Sequence, residues 1–203
     1  MKIICISGYS GGGKSTMLNI MEKNLPNSFA IRVEEEMLKI FNTKEAENFF
    51  GFPANNDNIL VYLYKVANLN DLNGERTFFD LSKPYIEKKI IEMINSISFK
   101  NQPDFIIIDW IALPLFDIWN QANFRIIVEP ADFLEHMKRT ISRNNSVPVN
   151  RQVVEKRISA FKDVLSCIDN TNYYIVKNYY NEEYELEIKD ICIKLVNEYF
   201  GGM

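Results

Sequence analysis

The sequence predicts an α/β fold, a three-layer sandwich with helices on both faces of a five-stranded parallel sheet. Five short apolar runs alternate with segments of helical spacing, which is the pattern of a sheet built through helical crossovers. The run Ile3-Ile4-Cys5-Ile6 and the run Phe105-Ile106-Ile107-Ile108 are apolar without alternation, as in strands buried on both faces. At 203 residues, with 47% hydrophobic and 25% charged, the chain supports one domain with a proper core.

The elements follow in order. Lys2 to Ser7 is the first strand, ending at Gly8, and Ser15 to Lys23 carries Met17, Leu18 and Met21 at helical spacing before Asn24 and Pro26 stop it. Phe29 to Val33 is the second strand and runs into Glu34-Glu35-Glu36. Met37 to Ala67 reads as two or three helices, broken at Gly51-Phe52-Pro53, and Asn68 to Gly74 as a polar loop. A longer helix is expected from about Ser82 to Ile97, with Pro84 in its first turn, where a missing N–H does no harm. Phe105 to Asp109 is the third strand and Phe124 to Val128 the fourth, ended by Pro130. Asp132 caps a helix reaching Arg143, and a polar loop to Asn150 precedes a helix from Arg151 to Leu165. Tyr173 to Lys177 is the fifth strand and Tyr184 to Phe200 the last helix.

No repeat or linker divides the chain. The expected organisation is a single domain over 1–203. Its core is 1–36, 101–130 and 165–203, with a helical insertion at about 37–100 and a lid at about 137–157.

Composition excludes several classes of function. No apolar run approaches the 18 or so residues that span a bilayer, so no membrane partner is expected. The opening MKIICISG lacks the pattern of a signal peptide, and the three cysteines form no CxxC pair. Both point to a reduced, cytoplasmic protein. A net charge of −4 and a pI near 5.2 remove the broad electrostatic case for nucleic acid.

One motif carries chemistry without adjustment. Gly8-Tyr9-Ser10-Gly11-Gly12-Gly13-Lys14-Ser15 fits G-x-x-x-x-G-K-[ST], placed between a predicted strand and a predicted helix. Glycines let the backbone wrap so that successive N–H groups face phosphate oxygens. Lys14 would reach the β- and γ-phosphates, the Ser15 hydroxyl would ligate Mg²⁺, and the helix start adds its positive end. Gly8, Gly11, Gly12, Gly13, Lys14, Ser15 and Thr16 are therefore the expected ATP-binding residues. No Asn-Lys-x-Asp segment for reading guanine is present, and Asp71-Leu72-Asn73-Gly74 follows no apolar strand. The chain is also short for a motor or transporter ATPase. Phosphoryl transfer from Mg-ATP to a small-molecule acceptor is the economical expectation, by a monomer or small homo-oligomer.

Acidic and basic candidates surround that loop. Asp109 ends a strand, where open parallel sheets place ligand-facing groups, and would hold Mg²⁺ or its waters beside Ser15; the alternative is a loop-capping aspartate. Glu34 is the first candidate for the base that takes the proton of an attacking hydroxyl. Glu35 is the second, and the bland alternative for both is an acidic helix start. Between Met137 and Lys162 seven cations face one carboxylate, Glu155. Arg139 and Arg143 share a helix face at i, i+4 and would close over the transferring phosphoryl group, unless this is simply a solvated basic face. Arg76, in the loop after Gly74, is a candidate grip for an anionic acceptor. His136 reads as a surface or packing residue, and Phe49, Phe50, Phe52, Tyr62 and Tyr64 as core or as the wall of an acceptor pocket.

In these features the chain resembles the P-loop small-molecule kinases, and among them the dephospho-coenzyme A kinase family. Three stretches carry the likeness: ISGYSGGGKS, then ALPLFDIWNQANFRIIVEPADFLEHMKRTISRN over 112–144, then CIDNTNYYIVKN ending at Asn178. The resemblance implies transfer of the ATP γ-phosphoryl to the ribose 3′-hydroxyl of dephospho-coenzyme A. It also implies a lid built on Arg139 and Arg143, and Asn178 at the nucleotide. Three positions depart from that family: Glu34-Glu35-Glu36 replaces an Asp-x-Asp pair, Lys83-Pro84 replaces His-Pro, and Asp109 stands where the family is apolar. An Asp there and the GGGKST run are closer to nucleoside and nucleotide kinases of the uridine-kinase type, which keeps a nucleoside or nucleoside monophosphate open as acceptor. A regulator that only binds or hydrolyses ATP is the remaining alternative.

Overall fold

A computed structural model describes residues 1–41, 44, 47–48, 75–143, 151–166, 168 and 172–201. The five strands are β1 (Lys2–Gly8), β2 (Ser28–Arg32), β3 (Phe105–Asp109), β4 (Phe124–Pro130) and β5 (Tyr174–Asn178). They form one sheet in the order β2-β3-β1-β4-β5, with every pairing parallel. The helices are α1 (Lys14–Asn24), α2 (Val33–Phe41), α3 (Glu75–Asn101), α4 (Asp117–Gln121), α5 (Phe133–Arg143), α6 (Arg151–Ser166) and α7 (Glu182–Phe200).

Alternate residues of the apolar runs feed two separate cores. Ile4 and Ile6 of β1 and Phe105 and Ile107 of β3 pack with Met17, Leu18 and Met21 of α1 and with Ile188, Cys192 and Leu195 of α7. Cys5, Ile106 and Ile108 point the other way, onto Met37 of α2, Ile86, Ile90 and Ile94 of α3, Trp119 of α4 and Phe161 of α6. Unbroken apolar runs with period-two burial on both faces are the physical content of a three-layer sandwich. Burial also governs the two cysteines described, both free thiols: it pushes Cys5 up to about 12 and Cys192 up to about 11.

Two boundaries differ from expectation for identifiable reasons. Helix α3 begins at Glu75 rather than near Ser82, so Pro84 lies inside it and Arg76 lies on helical backbone rather than in a loop. A proline there removes one helical hydrogen bond. The buried row Tyr85, Ile86, Ile90 and Ile94 anchors the helix immediately afterwards, with Tyr85 stacked 6.1 Å from Phe41. Lys83 pairs with Asp117 at 3.5 Å. The chain between β3 and β4 holds a 3₁₀ turn (Leu113–Leu115) and α4, which the sequence reading left unassigned. No side chain of its own caps α4. Glu87 of α3 does so, accepting the Ile118 N–H at 3.0 Å.

The parallel arrangement gathers the carboxyl ends of all five strands at one edge: Gly8, Arg32, Asp109, Pro130 and Asn178. Ligands of open α/β sheets bind along that edge.

Candidate active site

The loop Gly8–Gly13 leaves β1 and enters α1 at Lys14. Gly8 has φ +144°, and a Cβ there would lie 2.2 Å from the Val128 carbonyl, so the loop can leave the sheet only through glycine. Four of the loop's carbonyls are held by hydrogen bonds. Gly12 N–H and Lys14 Nζ donate to the Tyr9 carbonyl at 2.9 and 3.1 Å, and Lys14 Nζ also reaches the Gly8 carbonyl at 3.2 Å. Asn178 Nδ2 donates to the Gly12 carbonyl at 2.8 Å and the Tyr184 hydroxyl to the Gly13 carbonyl at 3.1 Å. In a planar trans peptide the carbonyl of one residue points opposite to the N–H of the next. Holding the Gly12 and Gly13 carbonyls therefore turns the N–H groups of Gly13 and Lys14 away from Asn178 and Tyr184. That is the geometry of an anion cradle at a helix start.

Beside it opens a cavity of about 190 Å³ lined by Ser15, Arg32, Glu34, Glu35 and Asp109. The structure thus brings together four residues that the sequence singled out from three separate segments. Asp109 is 8% exposed, and its Oδ1 has no hydrogen-bond partner. Burial raises its pKa above the usual carboxylate value; the Lys14 and Arg32 cations oppose that rise, and the Glu34 and Glu35 charges add to it. An unpartnered buried oxygen facing Ser15 across a cavity fits a Mg²⁺ ligand, since Mg²⁺ takes one or two protein oxygens alongside phosphates and water. Glu34 and Glu35 stand in the first turn of α2, one and two residues beyond Val33, where acids favour the helix.

The lid candidates separate. Arg139 is held on its own helix, with Nε donating to Glu135 Oε1 at 2.8 Å and its guanidinium 4.6 Å from the Tyr180 ring centre. Arg143 ends α5, and its side chain lies outside the described residues, as does that of Arg76. The Asn144 to Asn150 loop, the aromatic set Phe49 to Tyr64 and the Asp71 segment also fall outside them. His136 is a packing residue and not a surface one. It is 1% exposed, its Nδ1 lies 2.8 Å from the Tyr180 hydroxyl, and its backbone carbonyl accepts the Thr140 hydroxyl at 2.8 Å. His136 and Thr140 are also the side chains that a Cβ on Gly11 would meet, so α5 sits directly against the loop.

No family model matches the chain, and no curated protein matches it in sequence. Its three-dimensional form is shared. It superposes on the crystal structure of TT1252 from Thermus thermophilus with a TM-score of 0.66 and 15% identity, over 96% of each chain. Shikimate kinase from Bacteroides thetaiotaomicron superposes with a TM-score of 0.54 and 12% identity, over 97% of this chain and 98% of its own. The chain has the P-loop kinase fold. A dephospho-CoA kinase from Campylobacter jejuni aligns over 98% of this chain and 97% of its own at 18% identity, with a TM-score of 0.48.

Within that P-loop kinase fold, Arg32, Tyr184 and Thr140 are site residues that the sequence reading missed. Arg32 had a usable signal, because it ends β2 at the same sheet edge as Asp109, its register partner in β3. Tyr184 and Thr140 had none, since tertiary packing alone brings their helices to the loop. No described helix is long and apolar enough to cross a membrane.

Proposed function

We propose that this chain transfers the γ-phosphoryl group of ATP to a hydroxyl of a small metabolite, with the 3′-hydroxyl of dephospho-coenzyme A as the first acceptor to test. The observation that carries the reading is the cavity joining Ser15, Asp109 and Glu34, with an unpartnered Asp109 oxygen beside the phosphate loop. A loop that only sensed nucleotide would have no use for a carboxylate one helix start away, open to an incoming hydroxyl.

The roles follow from chemistry. The amides of the loop and Lys14 hold the β- and γ-phosphates, with Gly8, Gly11, Gly12 and Gly13 shaping the cradle and Thr16 in the first turn of the helix behind it. Ser15 and Asp109 would hold Mg²⁺, which when bound offsets charge between the two terminal phosphates. Glu34 takes the proton of the acceptor hydroxyl as the new O–P bond forms and the bond to ADP breaks; Glu35 lines the acceptor side. Arg139 and Arg143 of α5 supply positive charge at the transferring group once Arg139 leaves Glu135. Asn178 serves the nucleotide through the loop it holds, because its amide is engaged by Gly12 and Tyr180. The segment 37–100, with Arg76, would bind the acceptor.

The acceptor follows from the family resemblance, and Asp109 at the end of β3 favours a nucleoside or its monophosphate as second choice. ADP release from Mg-ATP, with dephospho-coenzyme A, nucleosides and nucleoside monophosphates added singly, tests the proposal. Stimulation by one acceptor supports it and names the substrate; no stimulation by any of them returns the chain to the class of nucleotide-binding regulators.

A further inference from the structure

We propose that Arg32, at the end of β2, receives an anionic group of the acceptor, a phosphate or carboxylate carried close to the attacking oxygen. The proposal deepens the kinase reading above and rests on it. Arg32 lines the cavity of about 190 Å³ together with Ser15, Glu34, Glu35 and Asp109, and it is the cation of that lining.

The register of the sheet puts Arg32 on the acceptor side. Arg32 stands opposite Asp109 in β3, and Asp109 stands opposite Ile6 in β1, the strand that leads into the phosphate loop. At the spacing of neighbouring strands, Arg32 is about 10 Å from β1. Asp109 lies between them, so the donor phosphates fall on one side of the proposed metal ligand and Arg32 on the other. Glu34, the proposed base, follows Arg32 by two residues and lines the same cavity. A hydroxyl at Glu34 and an anion at Arg32 therefore belong to one small molecule.

The guanidinium is held without being used up. Its Nη2 donates to Asn19 Oδ1 at 2.8 Å and to Glu22 Oε2 at 3.0 Å, three residues apart on α1. Among the described residues these are its hydrogen bonds, which leaves the donors of Nε and Nη1. Three carboxylates line the cavity, yet Arg32 forms its ion pair with Glu22, which does not. A counter-charge for those acids would pair with them. A planar fork tethered to α1 through one nitrogen keeps two others for the oxygens of an incoming anion. During transfer Arg32 exchanges no proton. The proton of the acceptor hydroxyl goes to Glu34 as the new O–P bond forms and the bond to ADP breaks.

The test is ADP release from Mg-ATP with matched acceptors, alongside calorimetric affinity for ATP. Each nucleoside is set against its 5′-monophosphate, adenosine also against dephospho-coenzyme A, and glucose against gluconate for a carboxylate. In wild type the anionic member of a pair is expected to drive turnover, with the neutral member weaker by roughly tenfold or more in KM. Arg32→Gln should raise the KM for the anionic acceptor by a similar factor with ATP affinity unchanged, and Arg32→Lys should recover part of it. The Arg32–Glu22 pair is 28% and 37% exposed, so both variants should melt close to wild type. The wild-type comparison needs no variant to fold. A neutral acceptor used as well as its anionic counterpart overturns the proposal, as does an unchanged KM in Arg32→Gln. A fall in ATP affinity in Arg32→Gln also overturns it, by placing the residue on the donor side. If no acceptor stimulates ADP release, or Lys14→Ala binds ATP as well as wild type, the kinase reading fails and this proposal with it. Turnover of a neutral acceptor removes this proposal alone.

Discussion

Asn178, the last residue of β5, donates its side-chain amide to the Gly12 carbonyl at 2.8 Å, so an edge strand of the sheet holds the phosphate loop in shape. Its Oδ1 accepts the Tyr180 N–H at 2.7 Å, and it is 4% exposed. Both ends of one buried amide are therefore committed, and the loop and the turn after β5 are set by the same residue.

Asn178→Ala leaves a buried carbonyl and a backbone N–H without partners. The expected cost is about 1–3 kcal/mol. Thermal unfolding should show a clear drop in Tm, and ATP affinity should fall with it because the Gly12 peptide is free to rotate. An unchanged Tm would mean that water or another donor satisfies Gly12 as well as the amide does.

Glu34→Gln keeps the size of the side chain and removes the proton acceptor. Acceptor-dependent turnover should fall between about a hundredfold and ten-thousandfold, with ATP affinity retained. Glu35→Gln should act mainly on the acceptor KM. If Glu34→Gln turns over normally while Glu35→Gln does not, the two assignments are exchanged.

Arg139 pairs with Glu135 and stacks on Tyr180 at rest; at the transferring group its planar fork takes two phosphate oxygens at once, which the single ammonium of a lysine does not. Arg139→Lys should therefore lower turnover nearly as far as Arg139→Ala, by at least about tenfold. The half-exposed pair contributes little to folding, so the Tm of both variants should stay close to wild type. Wild-type turnover in Arg139→Ala would take this residue out of the lid.

The sheet and the phosphate loop were legible because their signals are local. Ile3 to Ile6 and Phe105 to Ile108 are apolar without interruption, and Gly8 to Ser15 is a contiguous pattern. The capping of α5 was equally local: Asp132 Oδ1 accepts the Leu134 N–H at 2.7 Å. What escaped the sequence depends on contacts between distant segments. Nothing near Pro84 announces a helix running through it; the anchoring comes from the core that Tyr85 and Ile86 enter. Glu87 caps a helix some thirty residues away. Arg139 was picked for its spacing with Arg143, while only packing shows that its neighbour His136 is buried and that Thr140 touches Gly11.

Asp109 carries the sharpest prediction, because its burial sets stability against function. Its carboxyl has a raised pKa in the folded chain, chiefly from desolvation, against an ordinary value of 3.8. Below that ordinary value both folded and unfolded chains hold the proton, and the residue makes no difference. As pH rises through 3.8 and on through the higher folded value, the unfolded chain ionises first and the folded chain is progressively disfavoured. Asp109→Asn stays neutral throughout, so its Tm should exceed that of wild type, by a margin that widens with rising pH across the acid range and then levels. Turnover should fall at least about a hundredfold, since the amide is a poor ligand for Mg²⁺. Thermal melts of both proteins across the acid-to-neutral range, with turnover at neutral pH, decide the matter. A less stable Asp109→Asn at neutral pH would mean that the charge has a partner in the folded chain, and normal turnover would remove Asp109 from the metal site.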